Sequence, residues 1–138
     1  HRGSFNNKLE FKNETKGKKD FVIIAISITR FEAIKAKKNL EKKGYKIGII
    51  HIYWIKPFKI SKSAINCIIK SKFGAIILDD DYVDGISNSL ANKLNQLTSK
   101  KIYTMGLKNK SAGFHLKVDN LPPTSREIEK KIFSIIKI

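Results

Sequence analysis

The chain has 138 residues, of which 41% are hydrophobic, enough apolar surface for one domain with a single core. Its one cysteine, Cys67, excludes an internal disulfide framework, and no cluster of cysteine and histidine predicts a zinc site. The longest apolar run, Phe21 to Ile26, is too short to cross a bilayer, so no membrane partner is expected. A cytoplasmic or organellar matrix location is the default expectation.

The formal net charge of +16 comes from 25 lysines and only 3 arginines, set against 12 acidic residues. Nucleic-acid recognition favours arginine, because its planar guanidinium binds phosphates and guanines bidentately. The lysines are also spread along the whole chain, which fits a genome-wide residue bias better than a nucleic-acid footprint. Only weak attraction to polyanions at low salt is therefore expected.

Short apolar runs alternate with helical patterns, which is typical of βαβ units. Residues 1–19 are polar and are interpreted as a linker, with a tag remnant at 1–4 and strand-like alternation at Lys8 to Lys12. Residues 20–138 are interpreted as one domain. Strands are predicted at Phe21 to Ser27, Lys46 to Trp54, Phe73 to Leu78 and Lys101 to Met105, and helices at Arg30 to Lys43, at Lys62 to Lys70, after Asp84 and after Thr124.

Residues that start and stop helices support these assignments. Gly44 is expected to end the first helix, and Ser61 and Asp84 to cap the second and third at their N-termini. Thr124 to Glu127 has the pattern of a capping box, and Gly106 is expected to close the fourth strand.

The apolar faces of the helices predict how they pack. The second helix is expected to bury Ile65, Ile68 and Ile69, with Cys67 off that stripe. The face predicted for the third helix consists of Ile86, Leu90, Ala91, Leu94 and Leu97. Right-handed crossovers then give a three-layer α/β/α domain, with a parallel sheet between helices.

The carboxyl ends of the strands, where open α/β sheets bind ligands, carry little chemistry. They hold no glycine-rich phosphate loop. Asp79 to Asp81 allow Mg²⁺ binding or phosphoryl acceptance, but negative charge at a helix start is the favoured interpretation. His51 lies in an apolar strand and is interpreted as a core or edge residue. Cys67 has no positioned base. No catalytic, cofactor-binding or metal-binding residue is therefore assigned.

Aromatic and proline residues at strand ends are the stronger signal. Trp54, Pro57, Phe58 and Tyr82 are expected to form an apolar patch and are the predicted interface residues. Internal packing of the same residues is an equal alternative.

The order of these segments resembles the C-terminal domain of the transketolase family, which includes 2-oxo acid dehydrogenase beta subunits and deoxyxylulose-phosphate synthases. The most specific similarity is Trp54-Ile55-Lys56-Pro57-Phe58, preceded by a helix that ends in Lys43-Gly44. Asp79 to Gly85 resembles an acidic, aromatic and glycine-containing stretch of the family, although here a single glycine replaces a pair. The resemblance covers residues 20 to 138.

The resemblance implies a mostly parallel five-stranded sheet, with Lys8 to Lys12 as an antiparallel edge strand. It also implies a non-catalytic domain that serves subunit association, in a homodimer or heterotetramer. Thiamine diphosphate and Mg²⁺ would be held by other domains of the parent enzyme, a transferase or oxidoreductase.

Two alternatives remain at this point. One is a stand-alone basic α/β module that binds polyanions or nucleic acid. The other is a small phospho-receiver-like domain that uses Asp79 to Asp81.

Overall fold

The computed structural model describes residues 12–111 and 119–137, in which strands and helices alternate along the chain. The four strands predicted between residues 20 and 138 and the four predicted helices are present, with shifted ends. The elements are β1 (Phe21–Ile26), α1 (Thr29–Lys42), β2 (Ile47–Ile52), α2 (Lys62–Lys70), β3 (Ala75–Tyr82), α3 (Ile86–Thr98), β4 (Ile102–Leu107) and α4 (Ser125–Ile136).

The four strands form one parallel sheet in the order β2-β1-β3-β4. Ile24, at the centre of β1, pairs with Ile50 on one side and Ile77 on the other. The order shows that the chain crosses first to one side of β1 and then to the other. The predicted mostly parallel α/β architecture is thereby confirmed.

The outer edge of β2 is covered by the segment before β1, in the antiparallel direction. Glu14 and Ile49 exchange two backbone hydrogen bonds of 2.9 and 3.2 Å, and the His51 N–H donates to Asn13 Oδ1 at 2.8 Å. The fifth strand, predicted at 8–12, lies almost entirely outside the described residues, which contain four strands.

An ion-pair cluster fixes the same segment to α1. The Lys37 ammonium lies 2.7 Å from Glu14 Oε2 and 2.7 Å from Glu41 Oε2, and its side chain is only 9% exposed. Burial opposes the charged form, but the hydrogen bonds to both glutamates outweigh it and raise the pKa of Lys37. The cluster therefore stays charged and holds residue 14 against the helix.

Alternate residues of each central strand enter two separate hydrophobic cores. In β1, Ile23 packs in the core beneath α1 and α4, and Ile24 in the core beneath α2 and α3. All six residues of β1 are buried because helices cover both faces of the sheet. The result is the predicted three-layer arrangement.

The face of α2 that packs against the core matches the predicted one only in part. It buries Ala64, Cys67 and Ile68, whereas Ile69 is 42% exposed. Cys67 packs like a small apolar residue beside Gly48, where an added Cβ would lie 3.2 Å from its Sγ. The prediction is confirmed for Ile68 and for the partly buried Ile65, and is wrong for Ile69 and Cys67, because it ranked residues by hydrophobicity and left the smaller residues out of the contact.

In α3 the last turn also differs from the prediction. Leu97 is 54% exposed, and Thr98 is buried in its place. The Thr98 hydroxyl donates to the Leu94 carbonyl at 2.7 Å, so its polar atom is satisfied inside the helix. The prediction considered hydrophobicity alone and therefore missed the hydrogen bond that allows Thr98 to be buried.

Most of the predicted helix ends are confirmed. Ser61 Oγ accepts from the Ala64 N–H at 3.2 Å, and the capping box of Thr124 and Glu127 is complete. Gly44 follows α1 with φ of +89°. Asp84, however, does not cap α3, because Gly85 occupies the cap position and makes no side-chain bond.

The strands β3 and β4 both run further than predicted. Asp79 to Asp81 lie inside β3, and the register with β4 shifts between Leu78 and Tyr82. Gly106 is inside β4 and does not close it, since a Cβ there would lie 2.5 Å from the Asp81 carbonyl oxygen. A glycine is therefore required where β4 passes this irregularity.

Candidate association surface

The segment that follows β2 places an aromatic side chain in solvent. Trp54 is 59% exposed, Pro57 is exposed, and Phe58 is half-buried. The Lys59 N–H donates to the Trp54 carbonyl at 3.2 Å, which closes a turn. Below this turn, Phe58 packs with Ile55 and Ile60 against the α2–α3 core. The segment is thus anchored from below and presents Trp54 outward.

Two lysines lie against the rings of this segment. Lys59 Nζ is 5.3 Å from the centre of the Trp54 ring, and Lys93 Nζ, from α3, is 5.3 Å from that of Phe58. Both distances are within the range of cation–π attraction. We call Trp54, Lys56, Pro57, Phe58, Lys59 and Lys93 the aromatic–lysine surface.

Tyr82 lies elsewhere on the same end of the sheet. It belongs to β3, which is separated from β2 by β1, and its hydroxyl donates to the Lys110 carbonyl at 3.3 Å. It is 41% exposed. The structure therefore brings three of the four predicted interface residues together and places Tyr82 apart from them.

Three further apolar side chains at this end were not predicted from the sequence. Ile28 and Phe31 flank the start of α1, and Tyr53 directly follows β2; each is about half exposed. Five of the eight large apolar side chains that are exposed in the described residues lie at or shortly after strand ends: Ile28, Phe31, Tyr53, Trp54 and Tyr82. In the sequence, these exposed residues could have been identified by their position near strand ends, and not by any periodicity.

His51 is buried in β2, below the exposed residues, as the sequence indicated. Its ring centre lies 6.4 Å from that of Tyr53. Burial, with a smaller contribution from the nearby Arg30 guanidinium, lowers the pKa of His51 to about 4. The imidazole is therefore neutral at neutral pH.

This lowered pKa predicts acid sensitivity. Between about pH 7 and pH 5 we expect the free energy of unfolding to fall by about 1–2 kcal/mol, because the histidine of the unfolded chain binds a proton in this range and His51 of the folded chain does not. Denaturant unfolding at both pH values measures the loss. The His51→Gln variant serves as the comparison, because it should lose correspondingly less stability; an equal loss in both proteins would contradict the assignment.

Asp79 is the buried member of the acidic run in β3, at 1% exposure. Its Oδ1 accepts from the Asp81 N–H at 3.2 Å, and burial followed by the neighbouring Asp80 and Asp81 charges raises the pKa of Asp79. Within residues 12–111 and 119–137, no group of three or more histidine, cysteine or acidic residues could hold a metal ion. The acidic run therefore places one buried carboxyl group, with a raised pKa, inside the sheet.

The other candidate groups are also inward-facing. Burial raises the pKa of the Cys67 thiol, which lowers the fraction present as reactive thiolate.

No helix in the described part of the chain is long and apolar enough to cross a membrane. The groups that the structure exposes at this end of the sheet are apolar side chains and lysines.

The parallel sheet with helices on both faces defines a three-layer α/β domain, with exposed apolar residues at the carboxyl end of its strands. Residues 11–121 match the family model described as transketolase, C-terminal domain. The chain therefore belongs to the transketolase C-terminal domain family, as its sequence resemblance indicated.

A solved structure described as a split gene transketolase, inactive beta4 tetramer, is similar in fold. Its TM-score is 0.70 at 18% sequence identity, and the match covers 96% of this chain and 45% of that chain. This chain thus spans less than half the length of the neighbour, and the likeness shows the fold.

Proposed function

We propose that the chain is a non-catalytic association domain of a thiamine diphosphate-dependent enzyme, of the transketolase or 2-oxo acid dehydrogenase type. The observation that carries the proposal is Trp54, a large aromatic residue held in solvent above a packed turn. Family membership supports it, and so does the tetrameric description of the structural neighbour.

The physical reason is the favourable free energy of burying an exposed indole side chain in an interface. Tryptophan is enriched among the few residues that dominate interface energies, because it buries a large area at a low entropy cost. The backbone of Trp54 is held by the turn with Lys59, so little further ordering of the main chain is needed on association. The proposed assemblies are a homodimer or a heterotetramer with other domains or subunits of the same enzyme.

In this proposal thiamine diphosphate and Mg²⁺ are bound by other domains of the enzyme. The sequence has no Gly-Asp-Gly pattern and no glycine-rich phosphate loop. The chain contributes contact area and orientation to the assembly, while the other domains carry the cofactor.

The test is the Trp54→Ser variant in the enzyme assembled with the thiamine-binding domains of the same organism. We expect assembly, measured by sedimentation velocity, to weaken at least about 30-fold, which corresponds to roughly 2 kcal/mol. The chain itself should stay folded, since Trp54 is mainly exposed. Calorimetry with thiamine diphosphate and Mg²⁺ on the chain alone should give no binding heat.

The matched control is Leu97→Ser, because Leu97 is about as exposed as Trp54 but lies at the far end of α3. It should leave assembly unchanged. Full assembly of the Trp54→Ser enzyme would reject the proposal, and so would equal weakening by both variants.

A further inference from the structure

The acidic residues are unevenly distributed along the chain. The stretches 46–78 and 85–118 contain no aspartate or glutamate and contain twelve lysines. These stretches include all of α2 and α3, and also the segment that carries Trp54. A lysine-rich composition alone explains the number of lysines but not the exclusion of every acid from one layer of the fold.

The described ion pairs show the same asymmetry. Lys35 and Lys37, in α1, pair with Glu32, Glu14 and Glu41, and Lys43, directly after α1, pairs with Glu129 of α4. Within the described ranges, the α2–α3 layer has no ion pair. Part of the positive charge on the α1–α4 layer is therefore paired with glutamates, whereas the lysines of the opposite layer have no ion-pair partner among the described residues.

The aromatic–lysine surface lies at the edge of the α2–α3 layer. Its lysines Lys59 and Lys93 are held over the rings of Trp54 and Phe58, so any partner that covers the rings also meets the ammonium groups. An ammonium buried at an interface without a counter-charge is strongly unfavourable. A partner that buries Trp54 must therefore supply carboxylates beside its apolar contact.

We propose that the aromatic–lysine surface binds an acidic surface of a different polypeptide, and not a second copy of this chain. A two-fold contact between copies would place the same patch against itself, and here that juxtaposes lysines on two chains of net charge +16. Opposite charge also accelerates encounter and selects the correct partner. The inference rests on the proposed function and names the chemistry of its partner.

The test compares two triple variants with the same change in net charge. One replaces Lys56, Lys59 and Lys93 with glutamine; its control replaces Lys38, Lys42 and Lys131, which are exposed on the α1–α4 layer, with glutamine. Assembly with the thiamine-binding domains is measured from about 0.05 to about 0.5 M salt. We expect the first variant to weaken assembly about tenfold at low salt and to flatten its salt dependence, and the control to change both only slightly.

A second probe separates failure of this inference from failure of the proposed function. A labelled peptide of alternating glutamate and tyrosine, and its glutamine–tyrosine counterpart, are titrated into the chain alone. Binding of only the acidic peptide, lost in the first variant and kept in the control, supports the inference without the enzyme. If Trp54→Ser weakens assembly while both lysine variants behave alike, the proposed function holds and the acidic partner is rejected.

Two further outcomes would also overturn the inference. One is self-association that becomes tighter when Lys56, Lys59 and Lys93 are replaced, which would identify a second copy as the occupant. The other is tight binding of a random DNA duplex through these lysines without binding of the acidic peptide, which would identify a nucleic acid.

Discussion

Replacing Ile24, Ile49 or Ile77 with alanine is expected to lower the free energy of unfolding by about 2–5 kcal/mol for each substitution. These side chains are no more than 2% exposed and lie in the centres of β1, β2 and β3. Ile24 and Ile77 pack in the core beneath α2 and α3, whereas Ile49 packs beneath α1 and α4. Both cores should therefore respond, since each substitution leaves a cavity between a rigid sheet and its helices.

Equilibrium denaturant unfolding measures these losses, and Ile69→Ala is the matched control. Ile69 is 42% exposed on α2, so its truncation removes little buried surface and should cost less than about 1 kcal/mol. Losses below about 0.5 kcal/mol at all three core positions would mean that the strand assignment is wrong.

Gly74→Ala is expected to destabilise the chain by about 3–5 kcal/mol, and to do so mainly through the backbone. Gly74 has φ of +91°, and a Cβ there would overlap the carbonyl oxygen of Lys101. That carbonyl accepts from the Ala75 N–H at 3.2 Å where β3 and β4 begin to pair. The added methyl group can be accommodated only if the two strands separate at this point.

Comparison with Gly44→Ala separates the steric part of the Gly74→Ala destabilisation from the conformational part. Gly44 has almost the same φ, +89°, but a Cβ added there would meet no atom of a non-neighbouring residue within 4 Å. Its substitution should cost only the conformational penalty of about 1 kcal/mol. Thermal or denaturant unfolding of both variants gives the comparison, and equal losses would show that the close approach to Lys101 is unimportant.

The strands and helices could be predicted because the apolar runs and cap residues act locally. Phe21 to Ile26 is buried on both faces as its composition indicated, and Thr124 forms its capping box with Glu127. Asp79 to Asp81 were assigned to the end of the third strand, where the apolar run stops. The sheet continues through them by a change of register opposite Gly106, a pairing that no local pattern encodes.

The candidate surface was predictable only in part, for a related reason. Trp54 was predicted from its position at the end of an apolar strand, and the structure exposes it. The separation of Tyr82 depends on the order β2-β1-β3-β4, and the position of Lys93 over Phe58 depends on how α3 packs. Such distances arise from the tertiary arrangement, so sequence spacing could not supply them.

The covering of β2 by the segment around Glu14 also affects solubility. A bare strand edge is a template on which other chains add strands and grow into fibrous aggregates. Here the backbone groups of Ile49 are already paired with Glu14, and the Lys37 cluster holds that segment in position. Residues 13 and 14 thus protect this edge from adding strands of other chains, and a chain trimmed to begin at β1 would lose that protection at the strand that leads into Trp54.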